Sequence, residues 1–200
     1  MIKTKMKPDF DIILFDLGGV LIELSEHAIP TSWLKSKSFN SSDWFQSPTA
    51  MQFEKGQISA VEFANALIDE LDLEVSSHQV ITAFTAWPKG IFPQVPKILN
   101  TLKNDYKLAV LSNSNELHWP RILNEFKLSQ YMDAMFSSHL IKLAKPDVLA
   151  FEHVLDSMTV SPEKVLFFDD NPLNISAAKK LGIESILVNN ALEIESYFAL

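Results

Sequence analysis

Five short apolar runs stand out along the chain, and each ends in polar residues. Asp11–Phe15 runs into Asp16 and Gly18-Gly19, Lys107–Leu111 into Ser112-Asn113, and Ala134–Phe136 into Ser137-Ser138. Val165–Phe168 runs into Asp169-Asp170, and Ser185–Val188 into Asn189-Asn190. Continuous apolar runs of this length predict strands buried on both faces. Between them, apolar residues recur at helical spacing: Val95, Ile98, Leu99 and Leu102; Ile122, Leu123 and Phe126; Val148, Phe151, Val154 and Leu155; Ile175, Ala178 and Leu181. Gly182 is suited to cap the last of these helices, with Lys179 and Lys180 placed against its dipole. Strands alternating with helices predict an α/β fold, a doubly wound parallel sheet of five or six strands covered on both faces. Ligands bind such sheets beyond the carboxyl ends of the strands, where the polar clusters fall.

Residues 22–90 break this pattern and show no clear strand. Ser59 and Glu62 form a capping box before the stripe Phe63, Leu67, Ile68 and Leu71. Val80, Ile81 and Phe84 mark a further helix within 76–87. The segment reads as a helical insertion between residues 9–21 and 91–200. Trp33, Trp44, Phe45, Phe53, Trp87 and Lys89 are its candidates to face a ligand, although aromatic stripes more commonly build core.

Composition narrows the function classes. The 200 residues suffice for one sizeable core, or one core and a small accessory module. A net charge of −8 disfavours nucleic acid and anionic membranes as partners. No apolar run reaches the length of a membrane span, and the basic N-terminus lacks the apolar stretch of a signal peptide. The expected location is cytoplasmic. The lack of cysteine excludes disulfides, thiolate catalysis and zinc–thiolate sites. Arg121 is the only arginine, so a bidentate clamp on an anion must come from it or from another subunit. The five histidines, His27, His78, His118, His139 and His153, show no metal-ligand spacing.

The strand ends carry the chemistry. Taken singly, Asp16 reads as a turn residue, Ser112-Asn113-Ser114 as a helix cap and Lys145-Pro146 as a helix start. In a parallel sheet they converge with Asp169-Asp170 on one edge. Three carboxylates without histidine or thiolate suit Mg²⁺, which prefers oxygen ligands. A hydroxyl at a helix N-terminus and a lysine suit a phosphoryl group, and a carboxylate can accept that group covalently.

Phe15-Asp16-Leu17-Gly18-Gly19-Val20-Leu21, Leu111-Ser112-Asn113-Ser114-Asn115, Lys145-Pro146-Asp147 and Phe167-Phe168-Asp169-Asp170-Asn171-Pro172 resemble, in order, the four motifs of the haloacid dehalogenase superfamily. Asp16 and Ser112 stand 96 residues apart, Ser112 and Lys145 33, and Lys145 and Asp169 24. The first gap fits the family's small helical cap, here residues 22–90, beside a Rossmann-like core at 9–21 and 91–200. The resemblance implies a Mg²⁺-dependent phosphatase acting on a small phosphorylated metabolite, sugar phosphates favoured, as a monomer or homodimer. It implies Asp16 as nucleophile and metal ligand, the Gly18 carbonyl and Asp170 as metal ligands, and Asp169 as a ligand bound directly or through water. Ser112, with the backbone of Asn113, would hold the phosphoryl oxygens, and Lys145 would bridge nucleophile and phosphoryl charge.

One position departs from the pattern. Many phosphatases of this superfamily carry a second aspartate, an acid–base group, two residues after the nucleophile; here Gly18 stands there. General acid catalysis contributes about 10²–10⁴-fold, so poor leaving groups are expected to turn over slowly unless another residue supplies the proton. Glu23 is the sequence candidate. A metal-independent 2-haloacid dehalogenase and a catalytically weak binding module are the alternatives within the family. A phosphoreceiver domain orders its acidic residues the other way and has no place for the insertion.

Overall fold

A computed structural model of the chain describes residues 9–35 and 47–200; Trp44 and Phe45 lie outside the described residues. Its strands are β1 (Ile12–Phe15), β2 (Ile22–Leu24), β3 (Pro88–Ile91), β4 (Lys107–Ser112), β5 (Ala134–Ser137), β6 (Val165–Asp169) and β7 (Glu184–Leu187). Five of them form one parallel sheet in the order β5-β4-β1-β6-β7.

The central strands are apolar throughout because both faces of the sheet are covered. Ile13 and Phe15, with Leu108, Val110, Leu166 and Phe168, pack on one side against Val95, Ile98, Leu99 and Leu102 and against Ala191 and Ile194. Ile12 and Leu14, with Ala109, Leu111, Val165 and Phe167, pack on the other against Phe151, Val154 and Ala178. This period-two division leaves no face for polar side chains until the strands end. Register then brings the ends together. Phe15 lies opposite both Val110 and Phe168, so Asp16 and Asp169 leave the sheet at the same level and Ser112 one residue beyond. Helix 172–180 ends as the sequence predicts, with Gly182 at φ 88°.

The insertion has a core of its own. Helices Pro48–Glu54, Ala60–Leu71 and Ser77–Thr85 bury Phe53, Phe63, Leu67, Val80 and Phe84 together, with the Phe53 and Phe63 rings stacked at 4.2 Å. The Ser59–Glu62 capping box is formed in both directions. One expectation fails: 22–90 does contain strands. β2 and β3 pair antiparallel at the root of the insertion. They are too short for their alternation to be read, and Pro88 and Gly90 in β3 look like turn residues.

Candidate active site

A cavity of about 680 Å³ opens at the carboxyl ends of the parallel strands, between sheet and insertion. Asp16, Gly18, Ser112, Asn113, Lys145 and Asp170 all line it. A groove of about 740 Å³ lies at the opposite ends of the strands, around Asp11, Lys107 and Asp133, and holds none of the groups marked by sequence.

Lys145 organises the floor. It is 2% exposed, and its Nζ donates to Asp16 Oδ1 at 2.7 Å and to Asp169 Oδ2 at 2.5 Å. Burial alone pulls its ammonium down, but the Asp16 and Asp169 charges outweigh that and hold it above the usual lysine range. Burial pushes the Asp16 carboxyl up to about 7, with Lys145 pulling it back and Asp169 and Asp170 adding to the rise. Burial and the Asp169 charge also raise Asp170. Three carboxylates thus share one ammonium, and the set lacks positive charge.

Asp169, fully buried, does not face the cavity. Its oxygens are taken by Lys145, by the Asn171 amide at 2.7 Å and by Asn174 Nδ2 at 3.0 Å. Of the two routes expected for Asp169, direct or through water, this bonding suits the second, since lysine and amide donors already occupy both oxygens. Among the described residues no three Asp, Glu, His or Cys side chains converge to hold a metal. At the strand ends the carboxylates that do face the cavity are Asp16 and Asp170, and Gly18 lines it between them. That set suits Mg²⁺, which keeps several waters.

Asn113 acts through its side chain. Its Nδ2 donates to the Lys145 carbonyl and its Oδ1 accepts from the Lys145 amide, both at 2.9 Å, clamping the lysine's backbone. The Ser112 hydroxyl has only a 3.5 Å approach to the Asn113 carbonyl, too long to hold it, so it can turn to a ligand. Ser114 Oγ, also lining the cavity, is buried without a partner among the described residues. Gly19, at φ 74°, lets Asp170 close on the loop; a Cβ there would stand 2.3 Å from Asp170 Oδ2.

The family model for haloacid dehalogenase-like hydrolases matches residues 10–182. The chain belongs to this family. This haloacid dehalogenase-like hydrolase is similar to D-ribitol-5-phosphate phosphatase of Bacteroides thetaiotaomicron, 25% identical over 90% of this chain and 93% of that protein. It is similar to (S)-2-haloacid dehalogenase 1 of a Pseudomonas species, 25% identical over 91% of this chain and 78% of that protein. A crystal structure of a HAD family enzyme from Bacteroides thetaiotaomicron, in complex with magnesium and inorganic phosphate, matches with a TM-score of 0.75 at 28% identity. That match covers 89% of this chain and 93% of the other.

The hydrolase's insertion supplies the cavity roof, where sequence reading went astray. Glu23, the candidate for the missing acid, is exposed and pairs with Lys89 Nζ at 2.7 Å. Alternation along β2 turns Ile22 inward and Glu23 outward, so neither Glu23 nor Lys89 lines the cavity. Phe53 is core, Trp33 packs against that core, and Trp87 both packs there and lines the cavity. Arg121 is no substrate clamp: its Nη1 donates to the Thr85 and Pro88 carbonyls at 2.7 and 2.8 Å, tying the insertion down. His118 lines the cavity as a buried neutral ring that donates from Nε2 to the Phe84 carbonyl at 2.7 Å. Glu54 also lines the cavity, and nothing in the sequence marked it.

Proposed function

We propose that the protein is a Mg²⁺-dependent phosphatase of small phosphorylated metabolites, sugar phosphates favoured, working through a phosphorylated Asp16. The observation that carries this is Asp16 itself, a cavity-lining carboxylate held by Lys145 at 2.7 Å, with the Ser112 hydroxyl and Asp170 lining the same space. The ammonium fixes the carboxylate's rotation and stands ready to meet phosphoryl charge. Asp16 attacks phosphorus in line, and the ester oxygen departs on the far side. Ser112 and Lys145 hold the equatorial oxygens, and water then hydrolyses the acyl phosphate. Asp16, Asp170 and the Gly18 carbonyl are the groups that would hold Mg²⁺, which supplies neutralisation of phosphoryl charge when bound. Asn113, Asn174 and Asp169 position Lys145. Residues 22–90 act as a cap that excludes bulk water.

The ribitol-phosphate phosphatase relative and the magnesium- and phosphate-bound neighbour support this reading. The test is phosphate release from p-nitrophenyl phosphate and a panel of sugar phosphates, with Mg²⁺ and with EDTA, beside Asp16→Asn. Mg²⁺-dependent release that falls by about 10⁴-fold or more in the variant is expected, since loss of a nucleophile removes the covalent route. Halide release from 2-haloacids, indifferent to EDTA, overturns it in favour of a dehalogenase.

A further inference from the structure

Phosphoryl transfer to Asp16 leaves an alkoxide that needs a proton, and Gly18 has none to give. Among the described residues, the cavity contains one further carboxyl, on its roof. Glu54 is the last residue of helix Pro48–Glu54, and it lines the same space as Asp16, Ser112 and Lys145. Asn113, whose side chain clamps the Lys145 backbone, lines the same space. The helix end is fixed as well: the Glu54 carbonyl accepts from Ser138 Oγ at 2.5 Å, the Gly56 carbonyl accepts from Lys142 Nζ at 2.9 Å, and Phe53 is locked in the aromatic core.

Among the described residues, the charged groups near Glu54 are Lys145, Asp16 and Asp170 in the cavity, Lys55 next in the chain, and His139 and Lys142 on the segment packed against the helix end. The His139 ring is turned to Ser137, and Lys142 is held by Gly56. Burial pushes the Glu54 carboxyl up to about 7, with Lys145 pulling it down and Asp16 pushing it up. At neutral pH such a group is present in both forms and serves as donor and acceptor alike.

We infer that Glu54 is the general acid–base of this enzyme, a role that rests on the phosphatase reading above. As the bond from Asp16 to phosphorus forms and the phosphorus–oxygen ester bond breaks, Glu54 gives its proton to the leaving oxygen, releasing the alcohol. The resulting carboxylate takes a proton from the water that attacks phosphorus. Inorganic phosphate departs, and Asp16 and protonated Glu54 are restored.

The test compares wild type, Glu54→Gln and Glu54→Asp on an alkyl ester, ribose 5-phosphate, and on p-nitrophenyl phosphate, whose leaving group needs no acid. Glu54→Gln should slow ribose 5-phosphate by about 10²–10⁴-fold. On p-nitrophenyl phosphate it should give a burst of one nitrophenolate per enzyme and then slow turnover, because the water step has lost its base. Glu54→Asp, with the carboxyl kept one methylene short, should recover part of both. Equal losses on the two substrates without a burst, or no loss, overturn the assignment. A wild type inactive on both overturns the phosphatase reading itself, a failure seen in the parent and not in the variant. Thermal melting of each variant separates misfolding from lost chemistry, and an intact Glu54→Asp no better than Glu54→Gln also counts against Glu54.

Discussion

The floor and the roof of the cavity are built by different means. The floor is the frayed edge of a parallel sheet, where buried strands end together and their first polar residues meet. Its charges are buried and bonded to each other: Lys145 to Asp16 and Asp169, Asp169 to Asn171 and Asn174. The roof is a helical unit with an aromatic core, laid on the sheet through backbone carbonyls that Arg121, His118 and Ser138 hold. Position on the floor follows from register, and position on the roof follows from docking. Substitutions in the floor should therefore remove chemistry and stability together, whereas those in the roof should change selectivity or the attachment of the insertion.

The largest stability effect is expected at Lys145. Lys145→Met keeps most of the stem's volume and removes the ammonium, leaving Asp16 and Asp169 buried beside each other without their shared cation. Breaking a buried charge set by removing one partner costs about 3–5 kcal/mol. Urea denaturation at pH 7 should show that loss together with near-complete inactivity. A loss below about 1 kcal/mol, within the range of exposed ion pairs, would mean that the floor is not held by this lysine.

The same contrast explains what was readable in the chain. Asp16, Ser112 and Asp169-Asp170 were legible because each follows an apolar run, and parallel register carries such ends to one edge. The resemblance to known motifs added their order. That Asp169 is spent on Lys145 and Asn174 was not legible, because adjacent aspartates look alike until the turn at Asn171 aims them apart. The β2–β3 ribbon was missed because three or four residues carry too little alternation. Glu54 was missed for a different reason. Its helix shows only an apolar stripe with Ala50 and Phe53 inside, and a glutamate at a helix end is ordinary. Its place in the cavity with Asp16 comes from docking of the helix end, where its carbonyl accepts from Ser138, 84 positions away in the chain.

A middle-sized effect tests how the roof is attached. His118 accepts from Asn115 Nδ2 at 3.2 Å through Nδ1, stacks on Phe84, and donates to the Phe84 carbonyl. Asn115 Oδ1 already accepts the Leu117 and His118 amides, so its side chain cannot flip to meet a protonated ring without losing them. Burial accordingly brings the His118 pKa down to about 4. The unfolded chain takes up this proton below about 6.5, and the folded chain resists until about 4. This neutral histidine's contribution is complete above about 6.5 and is lost as pH falls toward 4, about 3 kcal/mol across the window. Urea denaturation between pH 7 and 4.5 should show a steeper acid loss in wild type than in His118→Gln, which has no proton to take up. Identical slopes would remove His118 from the junction.

The smallest effect belongs to the residue that most separates this chain from its family's common pattern. Gly18 and Gly19 are neighbours, yet they are glycine for different reasons. Gly19 sits at φ 74°, and an added Cβ would stand 2.3 Å from Asp170 Oδ2, displacing a carboxylate of the floor. Gly18 has no positive φ, and its added Cβ would meet only the end of a flexible side chain, Leu24 Cδ1 at 3.1 Å. Gly18→Ala should then change stability by no more than about 1 kcal/mol, with the entropy removed from the unfolded chain offsetting the shift of Leu24. Gly19→Ala should cost more than that and should weaken the Mg²⁺ response as well. Thermal melting of the two variants, with and without Mg²⁺, separates them. If Gly18→Ala proved as damaging as Gly19→Ala, the backbone would demand glycine at 18. If it is tolerated, fold strain does not explain the missing side chain, and an acid–base group supplied from the roof accounts for a position on the floor that is free to be bare.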